Sequence, residues 1–411
     1  MNYTRNQIAS LVASASFLVG PVAMADVVTD WNIKAGEFVS DTKPAPPAAS
    51  RTLAIVHTAM YEAANAITKR YPAGGLKLEA AQGASVDAAI AAAARTTLVT
   101  LLPSQSAAID SAYQAALIKL SDAAGTRAGT TVGEQAAAAV LASCAEDSAA
   151  AGETYPYRPY TTAGVYVPTV IPAVPQWPRR KPWLMTSAAQ FRPGPPPKLT
   201  SEVWARDYNE IKAVGGRNST QRTAAQTDIA RFWEATLPPI YYGLVQSVAN
   251  VPGREVTQNA RLFAAVTQAM DDALIAVFDA KYYYNFWRPV TAIRNGDIDG
   301  NDATERDPSW TPFIDTPMHP EYPCAHCIVA GAVGTVLRAE VGSGPMPTLT
   351  TTSTTAKGAA RSWKTTQDLM LEVANARIYD GVHYRNSTEV GLSMGRQVGA
   401  LAVVKFLRQA D

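Results

Sequence analysis

Three segments in the C-terminal half of this chain carry side chains that together could hold a tetrahedral oxyanion. They are Lys281 with Arg288-Pro289, then Pro323-Cys324-Ala325-His326, and finally Arg377 with His383. One Lys and two Arg can neutralise a multiply charged anion, Arg through its planar fork of donors. A helix start offers backbone N–H groups, and imidazoles can ligate or carry a proton. Of the 4 His in the chain, only His57 lies away from this region. It sits beside Leu53, Val56, Met60, Ala63 and Ile67, which recur at helical spacing, and nothing chelating lies at i+3 or i+4. His57 therefore reads as a hydrogen-bonded helix residue.

Spacing says how these residues could converge. Arg288 follows Lys281 by seven positions, about 700° of helix rotation, so both project from one face two turns apart before Pro289 stops the helix. The intervening Tyr282, Tyr283, Tyr284, Phe286 and Trp287 make a purely solvated basic stripe a poor alternative. Pro323 can open a helix, leaving the N–H groups of Cys324, Ala325 and His326 at its positive end, with His326 placed to donate a proton. Arg377 and His383 are six positions apart, about 600°, and would face different ways on a continuous helix. Gly381 between them can end the helix and turn His383 back toward Arg377.

The elements that must position these segments read as helices. Apolar periodicity predicts helices over 51–69, three more between 80 and 145, then 202–214, 221–234 and 256–284, and three last ones over 326–340, 355–377 and 389–409. No stretch of period-two alternation is convincing, so the expected class is all-α. Residues 156–197 hold eleven of the 28 prolines, interleaved with Tyr157, Tyr160, Trp177, Trp183 and Phe191. Proline fixes φ and removes a donor, so this is an extended connection whose rings should pack onto the helical body. The organisation expected is a helical layer over 26–154, the Pro- and aromatic-rich connection over 155–200, and a C-terminal helical bundle over 201–411 carrying the anion site. The acidic run from Asp297 to Asp302 lacks the Gly and the terminal acid of a calcium loop and reads as a solvated turn.

Composition narrows the partners. With 36 Lys+Arg against 35 Asp+Glu the chain has no basic field for nucleic acid. Residues 1–25 read as a signal peptide, with Arg5, an apolar stretch from Ile8 to about Val22, and a small-x-small ending at Ala23-Met24-Ala25. The mature protein is expected in the periplasm or secreted, with no membrane span. Three cysteines exclude a disulfide-built fold. Cys324 and Cys327 form a CxxC at a helix start, where a thiol pKa is lowered. No thioredoxin-like pattern surrounds them, so a structural or regulatory disulfide is the better reading of the pair.

Lys-x6-Arg-Pro, Pro-Cys-Ala-His and Arg-x5-His resemble the three-part signature of vanadium-dependent haloperoxidases and type 2 phosphatidic acid phosphatases. DAKYYYNFWRPVTAIRN from Asp279, HPEYPCAH from His319 and ARIYDGVHYR from Ala376 are similar to the soluble bacterial haloperoxidase-like branch, as are QFRPGPPP from Gln190 and ARFWE from Ala230. The resemblance implies orthovanadate as cofactor and hydrogen peroxide, a halide and a small organic molecule as substrates. It makes His383 the axial ligand of vanadate, Lys281, Arg288 and Arg377 the holders of its equatorial oxygens, and His326 the acid/base. His319, five residues before the motif Ser position, implies bromide or iodide oxidation over chloride. Trp287, Ser387 and Glu389 are the neighbours that could tune the site.

Departures from that pattern leave two other functions open. Cys324 stands for the family's Ser and is a poorer donor, and Ala325 stands for Gly, adding a methyl near the anion. Where phosphatases carry an Asp four residues after the ligand His, this chain has Ser387. Ser387, Glu389 or a backbone carbonyl must then orient the His383 ring. The alternatives are an acid phosphatase working through a phosphohistidine at His383, and a catalytically impaired oxyanion-binding protein.

Overall fold

A computed structural model describes residues 26–72, 76, 78–145, 162–236 and 238–407. The expected signal segment 1–25, Tyr157, Tyr160 and the expected boundary near residue 154 lie outside the described residues.

The first half is built from α1 (Val27–Asp41), α2 (Pro46–Thr68), α3 (Val86–Leu101), α4 (Ser106–Leu117) and α5 (Ala123–Ser143). After the connection come α6 (Glu202–Val214), α7 (Ala224–Trp233), α8 (Pro239–Ala249), α9 (Val256–Tyr284), α10 (Pro289–Arg294), α11 (Ala325–Val341), α12 (Thr366–Tyr379) and α13 (Arg385–Ala402). The all-α expectation holds. A 29-residue helix, α9, organises the fold. It is buried nearly all round, as a helix without a polar face must be, and it packs on α2 from the first half and on α11 and α13 from the second. One apolar core therefore runs from α2 and α3 through α9 to α11 and α13.

Two departures from the sequence reading have clear causes. The helix expected from Thr355 begins only at Thr366, and a two-stranded antiparallel hairpin, β1 (Leu349–Ser353) and β2 (Ala359–Trp363), precedes it. The inward positions of β1 include Thr351 and Ser353, whose hydroxyls donate to Ile240 O and Phe232 O at 2.6 Å each. A buried strand face made partly of hydroxyls shows no apolar alternation, so its sequence carries little strand signal. Helices α1 and α8 were not expected either. In α8 the apolar residues run almost continuously behind Pro238-Pro239, which hides a 3.6-residue period.

The connection wraps onto α9 as its prolines and rings suggested. Asp272 accepts the backbone N–H groups of Trp183, Leu184 and Met185 at 2.7, 2.8 and 2.9 Å. Arg192 makes two 2.7 Å hydrogen bonds to Asp279 and lies over the Tyr283 ring. Trp177 is buried, and Trp183 and Phe191 pack against the core. Charged acceptors on a central helix thus replace the ladder that a proline-rich segment cannot make. The acidic turn is more anchored than expected: Asp299 is buried and accepts Trp204 Nε1 at 2.8 Å and Thr304 Oγ1 at 2.7 Å. His57 is structural, as read: it is buried, hydrogen-bonded to Asn32 at 3.1 Å and stacked on Phe263.

Among the described residues, Arg385–Leu407 is the one single helical stretch long and apolar enough to cross a membrane, and much of it packs into the core against α11. Close approach of α11 and α13 rests on glycine. A Cβ on Gly395 would stand 2.1 Å from Ile328 O, so no other residue fits. This contact sets the starts of α11 and α13 side by side, where the candidate site lies.

Candidate oxyanion site

Lys281 enters the site from the last turn of α9. It is fully buried, and its Nζ donates to Pro320 O at 3.0 Å and Glu321 O at 2.7 Å. Arg288 reaches the same place by a different route from the one expected. Helix α9 ends at Tyr284, Asn285 takes a left-handed conformation with φ of 48°, and Phe286 to Arg288 run outside any helix. Pro289 does not stop α9; it opens α10 at the first helical position, where its missing N–H is harmless. Arg288 donates from Nε to His319 O at 2.9 Å and from its terminal nitrogens to Val382 O at 2.9 Å and His319 Nδ1 at 3.0 Å.

The third cation and the ligand candidate come from the end of α12. Arg377 donates to Trp233 O at 2.9 Å and lies 2.7 Å from the Asp380 carboxylate. Helix α12 stops at Tyr379 and Gly381 has φ of +79°, with Gly215 O where a Cβ would be. Only glycine tolerates that turn, and it brings the His383 N–H back to within 3.3 Å of Arg377 O. His383 Nε2 then stands 3.4 Å from an Arg288 terminal nitrogen.

The orienting partner of His383 is Glu321. Its Oε1 lies 2.8 Å from His383 Nδ1 and also accepts the Tyr384 N–H at 3.1 Å. A carboxylate can only accept here, so Nδ1 carries the proton and Nε2 keeps its lone pair facing Arg288. The sequence reading missed Glu321 and offered Ser387, Glu389 or a carbonyl. Glu389 is exposed on α13, and its charge acts on Arg385 instead. Ser387 is buried beside the same carboxylate and helps offset its burial, while the Ser387 carbonyl accepts the Cys324 N–H at 3.2 Å. Glu321 sits inside HPEYPCAH, so a buried acid between two motif residues was the available signal. Trp287 is not at the site surface: it stacks with Trp204 at 5.8 Å in a separate aromatic cluster.

At the start of α11, Cys324 is the N-cap and the helix begins at Ala325. Pro323 lies one position before the cap, on a cis Tyr322-Pro323 bond. Of the three N–H groups expected at this end, that of Cys324 is already bonded to Ser387 O. Those of Ala325 and His326 belong to the first turn, which has no acceptor within the helix. His326 is half-buried and its Nε2 lies 3.2 Å from Ala235 O. A carbonyl cannot donate, so Nε2 holds the proton and Nδ1 is the basic nitrogen. His319, His326 and His383 line one cavity.

Burial and mutual repulsion set the electrostatics. Lys281 is pushed well below the ordinary lysine range by burial first and then by Arg288, and burial brings Arg288 down to about 10. His319, His326 and His383 are all lowered, by burial first and then by the surrounding cations, so they are neutral. Burial raises the Glu321 carboxyl to about 7 against the pull of Lys281 and Arg288. Lys281 and Arg288, held down by burial and by the cations beside them, would be relieved by a multiply charged anion. Arg377 Nε is buried with no hydrogen-bond partner among the described residues, which adds a donor. Together with the His383 Nε2 lone pair, these groups fit vanadate.

The one donor position that does not fit is Cys324. Its sulfur is bonded to Cys327 and accepts the Cys327 N–H at 3.2 Å, so it has no S–H to offer. Mass spectrometry of untreated protein should therefore find the Cys324–Cys327 bond. Opening so small a loop should cost about 2 kcal/mol in urea unfolding of Cys324→Ser. The Ser hydroxyl would meanwhile supply the missing donor and tighten vanadate binding. A variant that loses stability and gains no affinity would show that position 324 only braces the helix start.

Residues 261–411 match the VCPO second helical-bundle domain. A vanadium chloroperoxidase of Curvularia inaequalis is 28% identical over 186 residues, 37% of this chain, and the match spans only 30% of that protein's length. The crystal structure described as the first bacterial vanadium-dependent iodoperoxidase superposes with a TM-score of 0.79 at 24% identity, covering 94% of this chain and 97% of its own. An apo-type bacterial vanadium-dependent chloroperoxidase superposes with a TM-score of 0.71 at 18% identity, covering 89% and 94%. Residues 261–411 thus carry the VCPO second helical-bundle domain, and the chain has the fold of these bacterial vanadium haloperoxidases.

Proposed function

We propose that this protein is a vanadate-dependent haloperoxidase that oxidises bromide or iodide with hydrogen peroxide. The observation that carries this reading is the Glu321–His383 pair, which leaves His383 Nε2 unprotonated among Lys281, Arg288 and Arg377. Vanadate, when bound, supplies a Lewis-acidic centre at which peroxide becomes an oxidant. The protein's own part is to bind, orient and move protons. Lys281, Arg288 and Arg377 neutralise the anion and fix its oxygens, and His383 ligates through Nε2. His326, with a basic Nδ1, takes and returns the proton of the incoming peroxide. His319, fixed by Arg288 and set edge-on to Phe278 at 5.2 Å, faces the cavity where halide would approach and supports the bromide and iodide preference. Export to the periplasm, or secretion, belongs to the same proposal and rests on residues 1–25.

Purified protein should oxidise bromide and iodide with peroxide only after loading with orthovanadate, and chloride far less. Hydrolysis of a phosphomonoester without halide oxidation would replace this reading with a phosphatase. Vanadate binding with neither activity would make the protein an oxyanion binder.

A further inference from the structure

The cavity lined by the three histidines has a tight turn on its rim. The His319 N–H donates to Pro317 O at 2.8 Å, a three-residue turn with Met318 at its tip. Pro317 and His319 line the cavity, while the Met318 side chain between them is 51% exposed. The turn is pinned from outside as well. Met318 O accepts the Ala173 N–H at 2.6 Å, and Ala173 lines the cavity from the connection. A solvent-facing thioether is therefore held at one place beside the mouth of the site.

A methionine sulfur is oxidised to the sulfoxide where an oxidant can reach it and the polar product can be hydrated. By that rule Met318 stands apart from the other soft side chains described. Met60, Met185, Met370 and Met394 are buried in the core, and Met346 is half-buried. Met270 lines the cavity but is 2% exposed on the same apolar wall as Leu274 and Phe278, where a sulfoxide would lose its hydration without gaining a donor. Cys144 is half-buried with Arg51 on its sulfur, and Cys324 and Cys327 are already bonded to each other.

We propose that Met318 is a self-oxidation site, the first group of this protein to be modified by the oxidant that the protein makes. The proposal rests on the haloperoxidase reading for that oxidant, hypobromous acid made from peroxide and bromide. The sulfur lone pair attacks bromine, so that an S–Br bond forms as the Br–O bond breaks and hydroxide leaves. Water then gives its oxygen to sulfur, and bromide departs with the electron pair of the S–Br bond. Of the two protons released, one neutralises the hydroxide and the other goes to solvent. The thioether is thereby oxidised to the sulfoxide and the bromine reduced to bromide. On an exposed tip the new oxygen is hydrated at once and disturbs no packing.

Peptide mass spectrometry of the vanadate-loaded protein after brief turnover with peroxide and bromide locates the added oxygen. The variant Ile118→Met supplies a reference that separates a local source from mere exposure. Position 118 is 83% exposed just past the end of α4, whose main packing partner is α3, a helix that does not line the cavity. Reagent hypobromous acid should oxidise position 118 of this variant at least as fast as Met318. Oxidant made by the protein should instead oxidise Met318 faster than position 118 by at least about fivefold. Equal oxidation of the two positions during turnover, oxidation of Met270 or Cys144 ahead of Met318, or the same oxidation of Met318 by peroxide alone overturns the proposal. Bromide oxidation in the same sample is followed separately. Its absence overturns the haloperoxidase reading and the proposal with it, whereas bromide oxidation that leaves Met318 unmodified overturns the proposal alone.

Discussion

Replacing Glu321 with Ala should lower vanadate affinity by about 10- to 100-fold, the usual effect of removing the partner that orients a metal-ligating histidine. Without the carboxylate the His383 ring can turn, or place its proton on Nε2, and either change removes the lone pair. The loss should appear as a weaker dissociation constant for orthovanadate, with helical content intact. Glu321→Gln keeps an acceptor for the Nδ1 proton without its charge and should fall between wild type and Ala. The pH dependence has a definite sign. Burial places the Glu321 carboxyl at about 7, so its charge is present above that pH and lost as pH falls through it. Vanadate affinity should therefore drop below about pH 7 in wild type. The drop should be shallower in Glu321→Gln, which controls for protonation of the anion itself. Equal affinities in all three proteins would remove Glu321 from the site's working parts.

His326→Ala should act on turnover and leave binding almost alone. The residue's Nε2 is tied to Ala235 O, its ring lines the cavity beside His383, and it adds no charge because burial and the three cations keep it neutral. A positioned acid/base contributes about 10²- to 10⁴-fold, so bromide oxidation at saturating peroxide should fall by that factor. The orthovanadate dissociation constant should move by no more than about threefold, since no anion-neutralising group is lost. Parallel losses of affinity and turnover would make His326 a holder of the anion. Unchanged turnover would require another proton carrier, and His319 is an imidazole on the same cavity wall.

Much of the site was legible because the residues that act within one turn or one helix obey short-range rules. Lys281 near the end of a long apolar helix, Gly381 as the only residue able to reverse the chain before His383, and a helix start close to His326 all follow from local conformation. Helix α6 appears at the expected limits and α9 begins where expected, because Gly215 closes the first and a polar cap opens the second. The pairing of Cys324 with Cys327 also needs only one helical turn.

What the sequence could not determine lies in contacts between distant segments. Glu321 and His383 are 62 residues apart, and no periodicity links an acid on one loop to an imidazole on another. Arg288 was placed on the wrong element because Asn285, with φ of 48°, ends α9 earlier than the proline does. The β1–β2 hairpin is stabilised by hydroxyls donating to the carbonyls of α7 and α8, partners invisible along the strand itself. The cavity lined by the three histidines belongs to no segment at all, since helices α2, α8, α9 and α11 and the connection each supply only a few of its walls. Residue types and local geometry settled which groups could bind an anion. Burial and long-range hydrogen bonding, which arise only when the segments pack, decided their protonation, their partners and the space left above them.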